Sequence, residues 1–194
     1  MGENSSNYRQ AKFQTKVMAT PSHFQAPWAN SVTTITALTI ALFASLILIG
    51  FWVGPRGQGW WLGLMVGLPL VITLATGLCA VRGYEVGDQG LVILRWGWPS
   101  QIPWQDITEV ELDPEAMDGS LRLWGNGGLF CFTGTFRNRK LGIYRAYATH
   151  PRKSVVLKGK SHPIVVTPDQ PDRFVELVKL AINSSNIDSS NPDG

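Results

Sequence analysis

Residues 31–81 contain a single charged side chain, Arg56. An uninterrupted apolar run lies on either side of it: SVTTITALTIALFASLILIGFWV at 31–53 and WWLGLMVGLPLVITLATGLCAV at 60–81. A helix of about 20 such residues crosses a hydrocarbon core about 30 Å thick, so each run reads as a transmembrane helix. The connection from Gly54 to Gly59 is rich in Gly and Pro and closes the pair into an antiparallel hairpin. Pro69, mid-run in the second helix, kinks a helix in lipid without forbidding it. Trp52, Trp60 and Trp61 flank the connection and Trp28 stands at the other end, as interfacial aromatics do. A soluble protein would have to bury both helices, and the rest of this chain offers too little apolar surface for that. About 30 residues precede the first run and no small-residue cleavage motif follows it, which argues against a cleavable signal peptide.

Lys and Arg set the orientation. Arg9, Lys12 and Lys16 precede the first run, Arg82 follows the second, and only Arg56 lies in the turn. The positive-inside rule then puts both termini in the cytoplasm. Met1-Gly2 followed by Ser6 fits the short myristoylation pattern at Gly2, and an acyl chain would add little to two spans.

The formal net charge of +3 is no argument for a nucleic-acid partner. From Arg82 onward the chain carries 13 basic and 13 acidic residues, so the surplus sits beside the apolar runs. Charge is nonetheless segregated within this part. Residues 82–121 hold 2 basic and 8 acidic side chains, and residues 122–167 hold 9 basic and none acidic. Such blocks create a local field at zero net charge. The two cysteines, Cys79 in the second run and Cys131 far beyond it, are not expected to face each other. They imply neither a disulfide framework nor a metal cluster.

After Arg82 the periodicity becomes that of short strands. Tyr84–Val86, Leu91–Trp96, Gln101–Trp104, Thr108–Leu112, Leu121–Trp124, Leu129–Phe136 and Leu141–Thr149 read as strands, and Asp106 as the cap of a single helical turn. Ser154–Leu157 and Ile164–Thr167 read as a hairpin. Phe174, Leu177, Val178 and Ala181 share one face of a helix expected over 172–182. The Ser/Asn/Asp-rich tail 183–194 is expected to be disordered. The predicted fold is α+β. A cytoplasmic tail, 1–30, leads to a hairpin, 31–81, and a small antiparallel β-barrel or sandwich, 82–182, is capped by one C-terminal helix that covers an open end.

Three segments carry a resemblance. Tyr84-Glu85-Val86, Gly90-Leu91-Val92-Ile93 and Ile102-Pro103-Trp104-Gln105-Asp106-Ile107 resemble the start of bacterial PH-like (pleckstrin-homology) domains. Residues 120–159, with Leu141-Gly142-Ile143-Tyr144-Arg145-Ala146-Tyr147-Ala148-Thr149, resemble them more closely, as does the closing Val165-Val166-Thr167-Pro168-Asp169-Gln170-Pro171-Asp172-Arg173-Phe174. The resemblance covers roughly 82–182. It implies a PH-like module, often membrane-anchored in this family, without a defined biochemical role.

Catalysis has little to rest on. HExxH, CxxC and GxSxG are all absent, and the chain holds 3 His in all. Glu109, Glu111, Asp113 and Glu115 alternate along a strand and its exit. That suits a solvated face, and a metal or acid–base site would need them to converge. Gly125-Asn126-Gly127-Gly128 suits a turn with positive φ, or an anion cradle of backbone amides. No enzyme activity, cofactor or metal is expected.

Arg137, Arg139 and Lys140 form the densest basic turn, and Arg145 follows. These residues, with Trp98 beside Pro99, are the candidate contacts for lipid or a partner protein. Most of Trp96, Trp104, Trp124, Phe130, Phe132 and Phe136 are expected in the core. Gly63 and Gly67 fit the small-residue pattern of helix packing. The leading expectation is a non-enzymatic protein-binding scaffold or assembly subunit at the cytoplasmic membrane face, with a membrane-protein partner. The alternative is an anionic-lipid sensor that uses 122–167.

Overall fold

The computed structural model describes residues 22–53, 55 and 59–190. Its elements in chain order are β1 (Ser22–Gln25), α1 (Asn30–Trp52), α2 (Gly59–Leu78), β2 (Val81–Gly87), β3 (Gly90–Arg95), β4 (Ser100–Pro103), β5 (Ile107–Leu112), β6 (Leu121–Gly127), β7 (Phe132–Asn138), β8 (Gly142–Ala148), β9 (Val155–Gly159), β10 (Ile164–Val166) and α3 (Pro171–Ser190). Arg9, Lys12, Lys16, Arg56 and Gly2, on which orientation and acylation turned, lie outside the described residues.

α1 and α2 are long and apolar enough to cross a membrane. Only 11% of the apolar window of α1 and 6% of that of α2 is buried within the protein, whereas a core helix would be mostly covered. Their hydroxyls turn back onto their own backbones. Thr39 donates to Ile35 O, Ser45 to Ala41 O and Thr73 to Pro69 O, each at 2.8 Å, so these polar groups need no water. α2 contains a π-turn at Gly63–Gly67. Pro69 lies just beyond it and has no N–H for the carbonyl four residues back. The wider turn accommodates that missing bond. The helices meet at Gly50, where a Cβ would stand 2.7 Å from Met65 Cβ, and Trp61 Nε1 donates to Gly50 O at 3.2 Å. Gly63 and Gly67 face away, with open space where a Cβ would sit. Helix α2 ends at Leu78 rather than at 81, because Val81 already belongs to β2.

The strands form two sheets. The first has the order β1-β2-β3-β4 and is antiparallel throughout. The second has the order β5-β9-β10-β8-β7-β6 and is mixed, since β10 runs parallel to β8. The expected all-antiparallel barrel or sandwich is corrected accordingly, and among the described residues no barrel closes. The 3-10 turn Trp104–Asp106 carries the chain from β4 into the other sheet, where β5 pairs with β9 and not with β4.

The main core lies between the sheets under α3, built from residues such as Tyr84, Leu91, Ile93, Leu157, Phe174 and Val178. A second cluster, on the far face of the second sheet, packs Phe136, Tyr144, Ala146, Val156 and Val165 against Ala116 and Met117. Four residues read as part of the tail form β1. Phe24 is buried edge-on against Phe174 at 5.2 Å. Gly83 lets the strand approach, because a Cβ there would lie 2.6 Å from Phe24 O. Helix α3 continues past Ile182 to Ser190.

A buried polar network ties the sheets together. Tyr84 Oη donates to Tyr147 O at 2.5 Å and accepts from Thr167 N at 3.0 Å. Thr167 Oγ1 in turn accepts from Thr149 N at 2.9 Å. Burial pushes the Tyr84 phenol well above its ordinary pKa, so it stays a donor. Tyr84→Phe leaves the buried Thr167 N–H and Tyr147 O without this partner. It should destabilise the protein by about 1–3 kcal/mol, read as a lower thermal midpoint of the full-length protein in detergent. An unchanged midpoint would assign the network no stabilising role.

The hairpin and the β domain are in direct contact. Ala29 N donates to Thr149 O at 3.0 Å, Gly97 N to Leu78 O at 2.8 Å, and Phe130 N to Thr36 Oγ1 at 2.9 Å. Cys131 Sγ lies 3.7 Å from Cys79 O. The Cys131 thiol thus meets the backbone of Cys79, and both cysteines are free thiols. Burial pushes the Cys131 thiol pKa up.

Candidate functional site

A groove of about 640 Å³ runs between the domain-side end of α2 and the strands β6, β7 and β8. Ile72, Ala75, Thr76 and Cys79 form its helical wall, and Arg95, Arg122 and Arg145 supply its charge. The register explains how distant residues meet. On one face of the second sheet Asn126 stands beside Thr133 and Tyr147, and Trp124 beside Thr135 and Arg145. Gly125 and Gly134 sit opposite each other with φ of 106° and 133°. A Cβ on either would lie 2.2 Å from a carbonyl oxygen of the opposite strand, so both stay bare and β6 lies close on β7. The Gly-rich stretch is thus mostly strand, with positive φ at Gly125 and Gly128.

Arg95, the last residue of β3, reaches the groove from the first sheet. Its guanidinium lies 4.9 Å from the Trp98 ring centroid and 5.6 Å from that of Tyr147. One Nη donates to Ser100 Oγ, and Nε is buried without a hydrogen-bond partner. Arg122 donates to Gly125 O at 3.3 Å. No carboxylate lines the groove, and none of its three arginines has an ion pair among the described residues.

Other basic residues of 122–167 are already neutralised. Lys140 Nζ lies 2.6 Å from an oxygen of Asp113, a residue only 8% exposed. Lys158 contacts Glu111 at 2.8 Å and Glu109 at 3.4 Å, and Arg152 approaches Asp118 at 3.7 Å. The hydrogen bonds to Asp113 and Glu111 hold the pKa of Lys140 and of Lys158 above the ordinary lysine range. The acidic block therefore pairs with part of the basic block across the second sheet.

The sequence candidates are scattered by the fold. Arg145 lines the groove. Arg137 sits on the same sheet face, one row farther from the hairpin, opposite Leu121 and Ile143. Arg139 is exposed in the β7–β8 turn, next to the paired Lys140. Trp98 is exposed, stacked on Arg95. Gly63 and Gly67 line an open apolar groove on α2 with Leu64, Leu68 and Val71, far along the helix. Sequence reasoning missed Arg95, which stands alone in its strand, and took in Arg122 only as the start of the basic stretch 122–167. Of the aromatic group expected mostly in the core, Trp96 and Trp124 are exposed, Trp124 at 81%. Trp104 and Phe136 are buried as expected. Among the described residues no cluster of His, Cys, Asp and Glu could hold a metal ion.

A family model described as "Bacterial PH domain" matches residues 82–182, just over half of the chain. The chain belongs to the bacterial PH domain family. No curated protein and no solved structure matches it. PH domains are in general binding modules, and in this bacterial PH domain Arg95, Arg122 and Arg145 line a groove with an apolar wall.

Proposed function

We propose that this bacterial PH domain is a membrane-anchored binding module whose groove holds the anionic headgroup of a phospholipid. One observation carries the reading. Three arginines without an ion pair among the described residues line the same groove as Ile72 and Ala75 of α2, a helix apolar enough to span. A lipid can lay its phosphate on the arginines and keep its acyl chains beside α2.

The hairpin end supports the level of the site. The Gly97–Leu78 bond pins the Trp96–Trp98 loop to the end of α2, and Arg82 lies 4.5 Å from the Trp96 ring centroid. Exposed tryptophan paired with arginine suits the headgroup layer. With α2 spanning, the groove lies at that layer, on the cytoplasmic side by the positive-inside rule. A basic residue placed there contributes roughly 1 kcal/mol toward anionic lipid. This puts lipid binding ahead of the protein-docking reading for the groove itself, because a protein would have to displace lipid beside α2.

The test is native mass spectrometry of the full-length protein released from nanodiscs of mixed phosphatidylglycerol and phosphatidylcholine. Preferential retention of phosphatidylglycerol is expected. Equal retention of both lipids would sink the proposal. Displacement by soluble glycerol phosphate at matched concentration would reassign the groove to a soluble anion.

A further inference from the structure

The outer edge of β6 is the last strand position of the second sheet. Leu121, Leu123 and Trp124 are exposed along it. Leu123 is the extra residue of a bulge, between Arg122 opposite Phe136 and Trp124 opposite Thr135. A sheet edge of this kind is a template for another strand unless it is shielded. The opposite edge of the same sheet shows shielding. On β5, Glu109 and Glu111 are tied to Lys158, and α3 packs against the strand. Among the described residues β6 has neither an ion pair nor a covering helix, and its guards are the Leu123 bulge and Arg122, which donates to Gly125 O at 3.3 Å.

Charge selects the occupant. No acidic residue occurs from Gly119 to Pro168. Arg122 on β6, Arg137 beside Leu121 and Arg139 in the adjoining turn have no carboxylate partner among the described residues. A second copy presenting its own β6 would set arginine against arginine. A second copy presenting β5 would offer carboxylates that Lys158 already neutralises. An acidic, extended segment with apolar residues at alternate positions fits the edge, because like charges across a strand pair repel and opposite charges attract.

The direction of β6 narrows the source. Its Gly127 end adjoins Gly128, where a Cβ would lie 3.0 Å from Ile35 of α1. From there the strand runs roughly 20 Å toward Leu121. We propose that the free edge of β6 accepts an added strand from another membrane protein, supplied by an acidic, extended segment leaving the bilayer beside this hairpin. The juxtamembrane source rests on the hairpin spanning the membrane and does not depend on what fills the groove.

The probe is a peptide of about seven residues, the length of an ordinary strand, with alternating glutamate and valine. A peptide of alternating lysine and valine is its control. Both are added to the full-length protein in nanodiscs. Deuterium uptake at residues 121–127 is followed together with the anisotropy of a labelled peptide. The acidic peptide should slow exchange across 121–127 and bind at least about tenfold more tightly than the basic one. Leu123→Glu, or Leu121→Glu should the first variant fold poorly, should cut that binding about tenfold. Arg95→Gln, which changes the groove from the first sheet and leaves β6 untouched, should keep the peptide affinity, which separates this site from the groove. Three results overturn the proposal: no protection at millimolar peptide, equal binding of the basic peptide, or protection that grows with protein concentration alone and so reports a second copy.

Discussion

Full-length protein carrying Arg95→Gln together with Arg145→Gln is expected to retain phosphatidylglycerol no better than phosphatidylcholine. Glutamine keeps hydrogen-bonding capacity and much of the side-chain length while removing the charge. A hydrogen bond to a charged group contributes about 1.5–3 kcal/mol. The groove is open to water, so the lower end of that range applies, and two such contacts amount to roughly a hundredfold in affinity. Arg95 should account for more of this loss than Arg145. It is half-buried, held between Trp98 and Tyr147, and its Nε has no partner in the protein. Fixed geometry of this kind costs little entropy on binding. Arg139→Gln is the control for diffuse attraction. Arg139 has a charge of the same sign in an exposed turn outside the groove, and its removal should change retention less than about threefold. Equal losses from Arg139→Gln and from the groove pair would reduce the site to general electrostatics. Raising the salt should weaken retention in the wild type, because the groove is solvent-exposed and screening reaches it.

Gly134→Val should abolish the folded domain or destabilise it by more than about 4 kcal/mol. Two costs coincide at this position. The backbone sits at φ 133°, a region that a β-branched residue cannot adopt without strain. Any Cβ would also meet Trp124 O at 2.2 Å, which pushes β6 off β7 and opens the groove. Gly142→Ala separates the two effects. Gly142 has φ 68° but open space where the Cβ would go, so its cost should stay near 1–2 kcal/mol. Both variants are read by thermal unfolding in detergent. A Gly134→Val midpoint no lower than that of Gly142→Ala would mean that β6 does not pack on β7 as described.

Features that depend on contiguous residues were legible in the sequence. Two runs without charge specify two apolar helices, because a helix that satisfies its own backbone needs only length and composition. The terminal helix announced itself through Phe174, Leu177, Val178 and Ala181 on one face, and three of these are buried in the main core. The β9–β10 hairpin, with Val166 opposite Val155 and Ile164 opposite Leu157, followed from two short apolar runs around a turn. A family pattern over 82–182 was readable for the same reason. Strand β1 was not, since Ser22–Gln25 is too short to show alternation and becomes a strand only when Phe24 finds Phe174 and Gly83 leaves room.

The candidate site depended on contacts between distant residues. Density along the chain pointed to Arg137, Arg139 and Lys140, but density does not reveal which charges are cancelled. Glu109 and Glu111 reach Lys158 only because β5 pairs with β9 in the second sheet, and Asp113 reaches Lys140 only because the loop after β5 comes up to the β7–β8 turn. Arg95 looked isolated, and Arg122 only the start of a basic stretch, because they come from strands of different sheets, and the groove exists where those strands meet α2. Composition and periodicity determined that this chain has an apolar hairpin and a small β domain closed by a helix. Tertiary structure decided where unpaired charge gathers, because ion pairing and groove walls are properties of side chains brought together from far apart in the sequence.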